Sequence, residues 1–325
     1  MAASPHANPA LHRSNGGQAF KWLALAAVLL LGVSGIALRS AKRPSIAHRF
    51  TKDFYSGIKA EALPVVEGEP RRGRTPVEEQ MWLKLHEAYA AEVKQLETTG
   101  VDLVFYGDSI TEAMRGTTMG LPNDKHSGTP AVVQKHYGHL RTAALSLAGD
   151  TTLNLLWRVQ HGEGPTFSPK VAVVLIGTND LTNPLYQLDV TNPEATGAIV
   201  AAGATSAVRA MLEQNMRMHV LLLAITPRGE RFVFASFADK YKQPSKLSPA
   251  IAATNMHLQR FADSNDRVTY VDCNAVLLEE DGAGGMQIAY EFMPDSLHPN
   301  ALGMDVFLDC LDHHLSPWLP LKSLL

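Results

Sequence analysis

Cysteine is scarce, two in 325 residues, too few for a disulfide framework. Neither sign of charge dominates. The 29 Lys plus Arg against 32 Asp plus Glu leave a net −3, which gives no general affinity for nucleic acid. HExxH, CxxC and GxxxxGK[ST] are all missing, and no serine sits in a GxSxG elbow. Zinc-protease, structural-zinc, P-loop and typical α/β-hydrolase readings therefore lose their main support. There is no internal repeat and no Asn-x-Ser/Thr sequon. What remains is a chain that folds: 46% of its residues are apolar and 19% charged, with length for one large domain or two small ones.

The charge is unevenly spread. Residues 1 to 60 hold eight Lys or Arg against the single acid Asp53, a local +7 that leaves −10 on the remainder. Inside that basic segment Trp22 to Leu38 runs 17 residues without a charge, reaching about 26 Å as a helix, close to a thin bilayer core. This predicts an N-terminal hydrophobic helix acting as a single-pass signal anchor of the secretory pathway. A signal cleaved after Ala37, giving a secreted protein, another targeting peptide and a buried core helix are the alternatives. The basic residues after the segment argue against simple translocation of the C-terminal part of the chain.

Residues 1–21 read as a tail and 39–74, with Pro44, Pro64, Pro70 and the run EGEPRRGRTP, as a basic linker. A folded body is expected over 75–318, with 319–325 as a tail. Thr75-Pro76-Val77-Glu78 marks a helix start for a helix to about Leu96. Five continuous apolar runs come after it, at 101–107, 143–149, 170–177, 219–226 and 267–273, which suit strands buried on both faces. Helical stretches lie between, from Asn192-Pro193-Glu194 to about Gln214, after Ser248-Pro249, and from about Asn300 to Leu315 with Leu302, Val306, Cys310 and Leu311 on one stripe. The alternation predicts an α/β fold with a parallel sheet and helices on both faces. Ligands then belong beyond the carboxyl ends of the strands.

Four signals fall there. Gly107-Asp108-Ser109 comes after the first run, and Ser109 with Glu112 also reads as a capping box. Gly149-Asp150 comes after the second run and Gly177-Thr178-Asn179-Asp180 after the third, each an ordinary turn in isolation. Asp295-Ser296-Leu297-His298 precedes the last helix and spaces a carboxylate three positions from an imidazole, the side chain suited to proton transfer near neutrality.

Together these residues resemble the SGNH, or GDSL, hydrolase family, closest to its platelet-activating-factor acetylhydrolase catalytic-subunit branch through GDTTLNLLWRV (149–159) and TPRGE (226–230). The resemblance covers about residues 75–318. It implies a three-layer α/β/α sandwich around a five-stranded, flavodoxin-like parallel sheet. It also implies a serine esterase for short acyl, especially acetyl, esters of a lipid or carbohydrate, with Ser109 as nucleophile, His298 as base and Asp295 as its orienting acid. The oxyanion would be held by the N–H groups of Ser109 and Gly149 and the amide of Asn179, and no metal or organic cofactor is required. Asp108, Asp180, Arg158 and Arg228 are further candidate substrate contacts, the arginines for an anionic head group. Partners would be the acyl-ester substrate, the membrane through 22–38 and a second copy of the chain. A membrane-bound acyltransferase using the same site and a non-catalytic binding protein on the same fold are the alternatives. His126, His136 and His139 read as loop residues bordering the cleft rather than metal ligands, and Cys273 and Cys310 as buried free thiols.

Overall fold

A computed structural model of the chain describes residues 63–73, 75–184, 186, 188–229 and 236–321. Of the two units into which the chain divides, Met1–Arg43 and Pro44–Leu325, every described residue belongs to the second. The expected tail 1–21 and hydrophobic segment 22–38 lie outside the described residues, as do most of the linker and residues 322–325.

The helices begin where their sequences stop them from beginning earlier. Helix α1 (Pro76–Thr99) has Pro in its first turn, and the Thr75 hydroxyl accepts from the Glu78 N–H at 3.2 Å, satisfying one of the donors a helix start leaves open. Helix α2 (Thr129–Tyr137) and the short α3 (Thr152–Arg158) come next, the latter closed by a reciprocal cap between Thr151 and Asn154. Helix α4 (Pro193–Gln214) is capped by Asn192, α5 spans Ser248–Asp263 and α6 spans Ala301–Leu315 behind the cap Asn300. Among the described residues α4 alone is long and apolar enough to cross a membrane, yet 78% of its apolar window is buried in the body. It is a core helix.

The five apolar runs form strands β1 (Leu103–Gly107), β2 (Thr142–Ser146), β3 (Val171–Leu175), β4 (His219–Leu223) and β5 (Val268–Val271). They make one parallel sheet in the order β2-β1-β3-β4-β5. Leu103 sits opposite both Thr142 and Val171. Alternate side chains serve opposite faces: Val104 and Tyr106 join a core with α1, α3, α4 and α5, whereas Leu103 and Phe105 join one with α2 and α6. This is the expected three-layer sandwich.

Several expectations are corrected. Residues 63–73 carry no helix or strand, as a linker should, but they lie against the body: Leu63 is buried, Val66 N–H donates to Ser206 Oγ at 3.1 Å, and Glu69 exchanges backbone bonds with Leu153 and the Asn154 amide. On α6 the buried stripe is Met304, Phe307, Leu308, Leu311 and Leu315, while Leu302 is exposed, because the helix presents the i, i+3, i+4 set centred on Phe307 to the sheet. Cys273 and Cys310 are not free thiols. They are joined in a disulfide with Cα atoms 6.0 Å apart, since α6 lays Cys310 over the chain that leaves β5. His136 belongs to α2 rather than to a loop.

Candidate active site

Every chemistry-bearing turn lies at the carboxyl ends of the strands. Gly107 ends β1 so close to β3 that a Cβ there would stand 2.2 Å from the Leu175 carbonyl oxygen, so only glycine lets the chain turn at this point. Ser109 then opens a single helical turn, Ser109–Glu112, whose cap is the Asp108 carboxylate accepting from Ile110 N–H at 3.0 Å. The capping-box alternative for Ser109 is replaced. Glu112 is fully buried and accepts instead from Ala148 N–H at 2.6 Å, Gly120 N–H at 2.8 Å and Thr117 Oγ at 2.9 Å. It ties the chain after Ser109 to the chain after β2.

The Asp295–His298 turn arrives from 189 positions away and places His298 Nε2 2.9 Å from Ser109 Oγ. The other ring nitrogen, Nδ1, lies 2.7 Å from Asp295 Oδ2, and Asp295 Oδ1 accepts the backbone N–H groups of Leu297 and His298 at 3.1 and 2.7 Å. Ser296 takes a positive φ of 59° inside this turn. A non-glycine residue holds that conformation at a cost, within a turn that brings the Asp295 carboxylate back onto the His298 ring. Burial works against ionisation of Asp295, but the His298 ring, its charge and the two backbone donors outweigh it and hold the carboxyl well below the ordinary range. The carboxylate stays ionised beside the imidazole.

Gly149, after β2, has φ +83°, the left-handed region that favours glycine. Asn179, after β3, is half-buried and donates its side-chain amide to Asp150 O at 2.9 Å, with Asp108 Oδ2 at 3.4 Å. Ser109, Gly149 and Asn179 therefore stand on three adjacent strand ends.

The remaining predicted contacts are turned inward. Asp108 is buried, and desolvation pushes its carboxyl up to about 7 despite the Ile110 N–H and the nearby His298. Asp180 is likewise buried and raised to about 7 by desolvation. It accepts from Thr152 N–H at 3.0 Å and Thr152 Oγ at 2.6 Å, fastening the start of α3 to the chain after β3. Arg158 is fully buried and faces no solvent or head group. It donates to Asp150 Oδ2 at 2.7 Å, to Glu163, and to the carbonyls of Leu145 and Gly107 at 3.3 Å. Arg228 is also buried, donating to Thr178 O at 2.7 Å and Thr178 Oγ at 3.0 Å.

Sequence reasoning missed the residues that hold the two carboxylates around Arg158. Trp82 Nε1 donates to Asp150 at 2.7 Å, and His86 Nδ1 lies 2.6 Å from Glu163. The W-x-x-x-H spacing on α1 puts both on one helix face, the signal that could have found them. The three histidines disperse. His126 is buried with its ring 5.9 Å from that of His298, His139 bonds the Pro320 carbonyl, and His136 bonds Asp312 through Nδ1 and Asp305 through Nε2, both at 2.8 Å. Among the described residues His136, Asp309 and Asp312 come near enough to share a cation, but both His136 nitrogens are already occupied by carboxylates.

Comparison with known proteins gives a consistent picture. A family model described as GDSL-like lipase/acylhydrolase matches residues 105–306. Platelet-activating factor acetylhydrolase IB subunit alpha2 of Gallus gallus is 26% identical over 217 residues, covering 67% of this chain and 76% of the relative. The alpha1 subunit of Homo sapiens is 24% identical over 241 residues, covering 73% and 85%. In fold, the chain is similar to a GDSL-like lipase from Bacteroides thetaiotaomicron, with a TM-score of 0.50, 16% identity, and coverage of 72% of this chain and 98% of that one.

Proposed function

Since the chain belongs to the GDSL-like lipase/acylhydrolase family, a family of ester hydrolases, we propose that it is a serine esterase that removes short acyl groups, acetyl above all, from a lipid or carbohydrate ester. The observation that carries this is the unbroken series Ser109 Oγ, His298, Asp295, with separations of 2.9 and 2.7 Å. A serine hydroxyl is a weak nucleophile until a base removes its proton in the transition state. His298 Nε2 is within reach to do so, and the ionised Asp295 fixes the tautomer and stabilises the imidazolium. Ser109 Oγ bonds the ester carbon, His298 returns the proton to the leaving alcohol, and water repeats the sequence on the acyl-serine.

The developing oxyanion is assigned to the N–H groups of Ser109 and Gly149 and to the Asn179 amide. That amide rests on the Asp150 carbonyl in the free site, so its donor is already oriented when the oxyanion forms. Preference for an acetyl group is supported by the names of the curated relatives, both acetylhydrolases. Residues 22–38 are proposed to hold the enzyme on a membrane.

Labelling with a fluorophosphonate and hydrolysis of p-nitrophenyl acetate test the reading. Wild type is expected to label on Ser109 and turn over, and S109A to lose label and about 10⁶ in kcat. Unchanged turnover in S109A would remove the proposal, and product analysis with an added sugar or lysolipid acceptor separates hydrolysis from transfer.

A further inference from the structure

The segment before α1 contributes a cation to the rim of the site. Arg71 is half-buried and donates through Nη1 to the Ala148 carbonyl, with Met119 Sδ at 3.5 Å from the same nitrogen. Its guanidinium lies flat against Gly149. A Cβ built on Gly149 would meet Nη2 at 2.7 Å, Nη1 at 2.8 Å and Cζ at 2.9 Å. The glycine assigned to the oxyanion site, favoured by its positive φ, thus also leaves room for this arginine in its observed place.

Holding the segment down does not require a guanidinium. Val66, Glu69 and Asn154 already fasten it through other hydrogen bonds. Arg115, Arg141 and Arg158 each pair with a carboxylate, whereas Arg71 makes no direct ion pair among the described residues, reaching the buried Asp150 only through its field, and its Nε and Nη2 donate to no protein atom there. Asp150, the residue after Gly149, is buried and already paired with Arg158, and Arg71 only adds to the positive field around it. A planar donor with two unused nitrogens fits an oxyanion group in a paired geometry.

Resting on the esterase reading above, we propose that Arg71 is a specificity-determining residue that binds a carboxylate or phosphate oxyanion carried by the ester substrate. The anion can be on the alcohol or the acyl side of the ester, and the test separates the two. The first pair of probes is 4-acetoxybenzoate and its methyl ester. The second is mono(4-nitrophenyl) adipate and its methyl ester. For at least one pair, the ratio of kcat/KM for the anionic ester to that for the neutral one is expected to fall about 10- to 100-fold in R71Q, with part of the ratio recovered in R71K. In wild type the same ratio is expected to shrink as ionic strength rises from about 0.01 to 1 M, a measurement that needs no variant. Ratios unmoved in both pairs by R71Q, or a wild-type ratio independent of salt, would overturn the assignment to Arg71 while leaving the esterase reading intact. Failure of all four esters to turn over in wild type would instead overturn the esterase reading and this inference with it.

Discussion

Replacing Arg158 by Met measures how much the site depends on charges it never shows to substrate. The arginine is fully buried between Asp150 and Glu163 and also donates to the carbonyls of Gly107, which ends β1, and of Leu145 on β2. Methionine fills most of its length but takes away the one guanidinium that both interior carboxylates share, leaving Glu163 with His86 and Asp150 with the Trp82 N–H. Asp150 is raised to about 6 by desolvation even with the arginine beside it. Removing one partner of a buried ion set costs about 3 to 5 kcal/mol, which lowers the melting temperature of a body this size by about 10 °C. Urea unfolding followed by fluorescence gives the free energy directly, with the slope checked for constancy. Combining R158M with D150N and E163Q removes the stranded charges, so the triple variant is expected to be milder than the three single losses added together. A single-variant loss below about 1 kcal/mol, or strict additivity in the triple, would refute the view that these groups act as one unit.

Two further outcomes rest on the same geometry. In N179A, kcat is expected to fall by about 10² to 10³ with little change in KM, and steady-state kinetics showing a fall under tenfold would take Asn179 out of the oxyanion site. His136 on α2 is raised in pKa by its hydrogen bond to Asp312, against its burial and with help from Asp305 and Asp309, all three acids on α6 and with Lys135 beside it on α2. The imidazolium therefore stabilises fully below the unfolded histidine value of about 6.5, and that stabilisation disappears as pH rises through the elevated folded value. Chemical denaturation across pH 6 to 9 is expected to show this decline in wild type and a flatter curve in H136Q. Equal slopes would locate the dependence elsewhere.

Much of this architecture is legible in the residues because the signals are local. Continuous apolar runs mark strands covered on both faces, and Thr75-Pro76 or Asn192-Pro193 marks a helix start within a residue or two. Ser109 and Asn179 stand out by resemblance and by their positions after strands, Asp295 and His298 by resemblance and by their three-residue spacing ahead of the last helix. The illegible part depends on partners distant in the chain. Nothing near Arg158 announces that Glu163 and Asp150 will bury it, so an arginine beside a site looks like a ligand-binding group. Residues 63–73 have no periodicity, and a segment held by isolated backbone bonds reads as a linker. Arg71 hides inside it. The spacing of Cys273 and Cys310 does not show that α6 crosses the end of β5, and the 302/306/310 set on α6 is as apolar as the set that faces the sheet.

The bridge between Cys273 and Cys310 encloses residues 274–309, and Asp295 and His298 both fall within that stretch. The His298–Asp295 pair is thus mounted on a covalent ring, pinned at one end where the sheet finishes and at the other on the final helix, while Ser109, whose hydroxyl it bonds, belongs to chain outside the ring. Such a ring persists where thiols are kept oxidised and opens where they are not. Maturation in an oxidising compartment would therefore close the tether around His298 and Asp295, the base and acid proposed for Ser109.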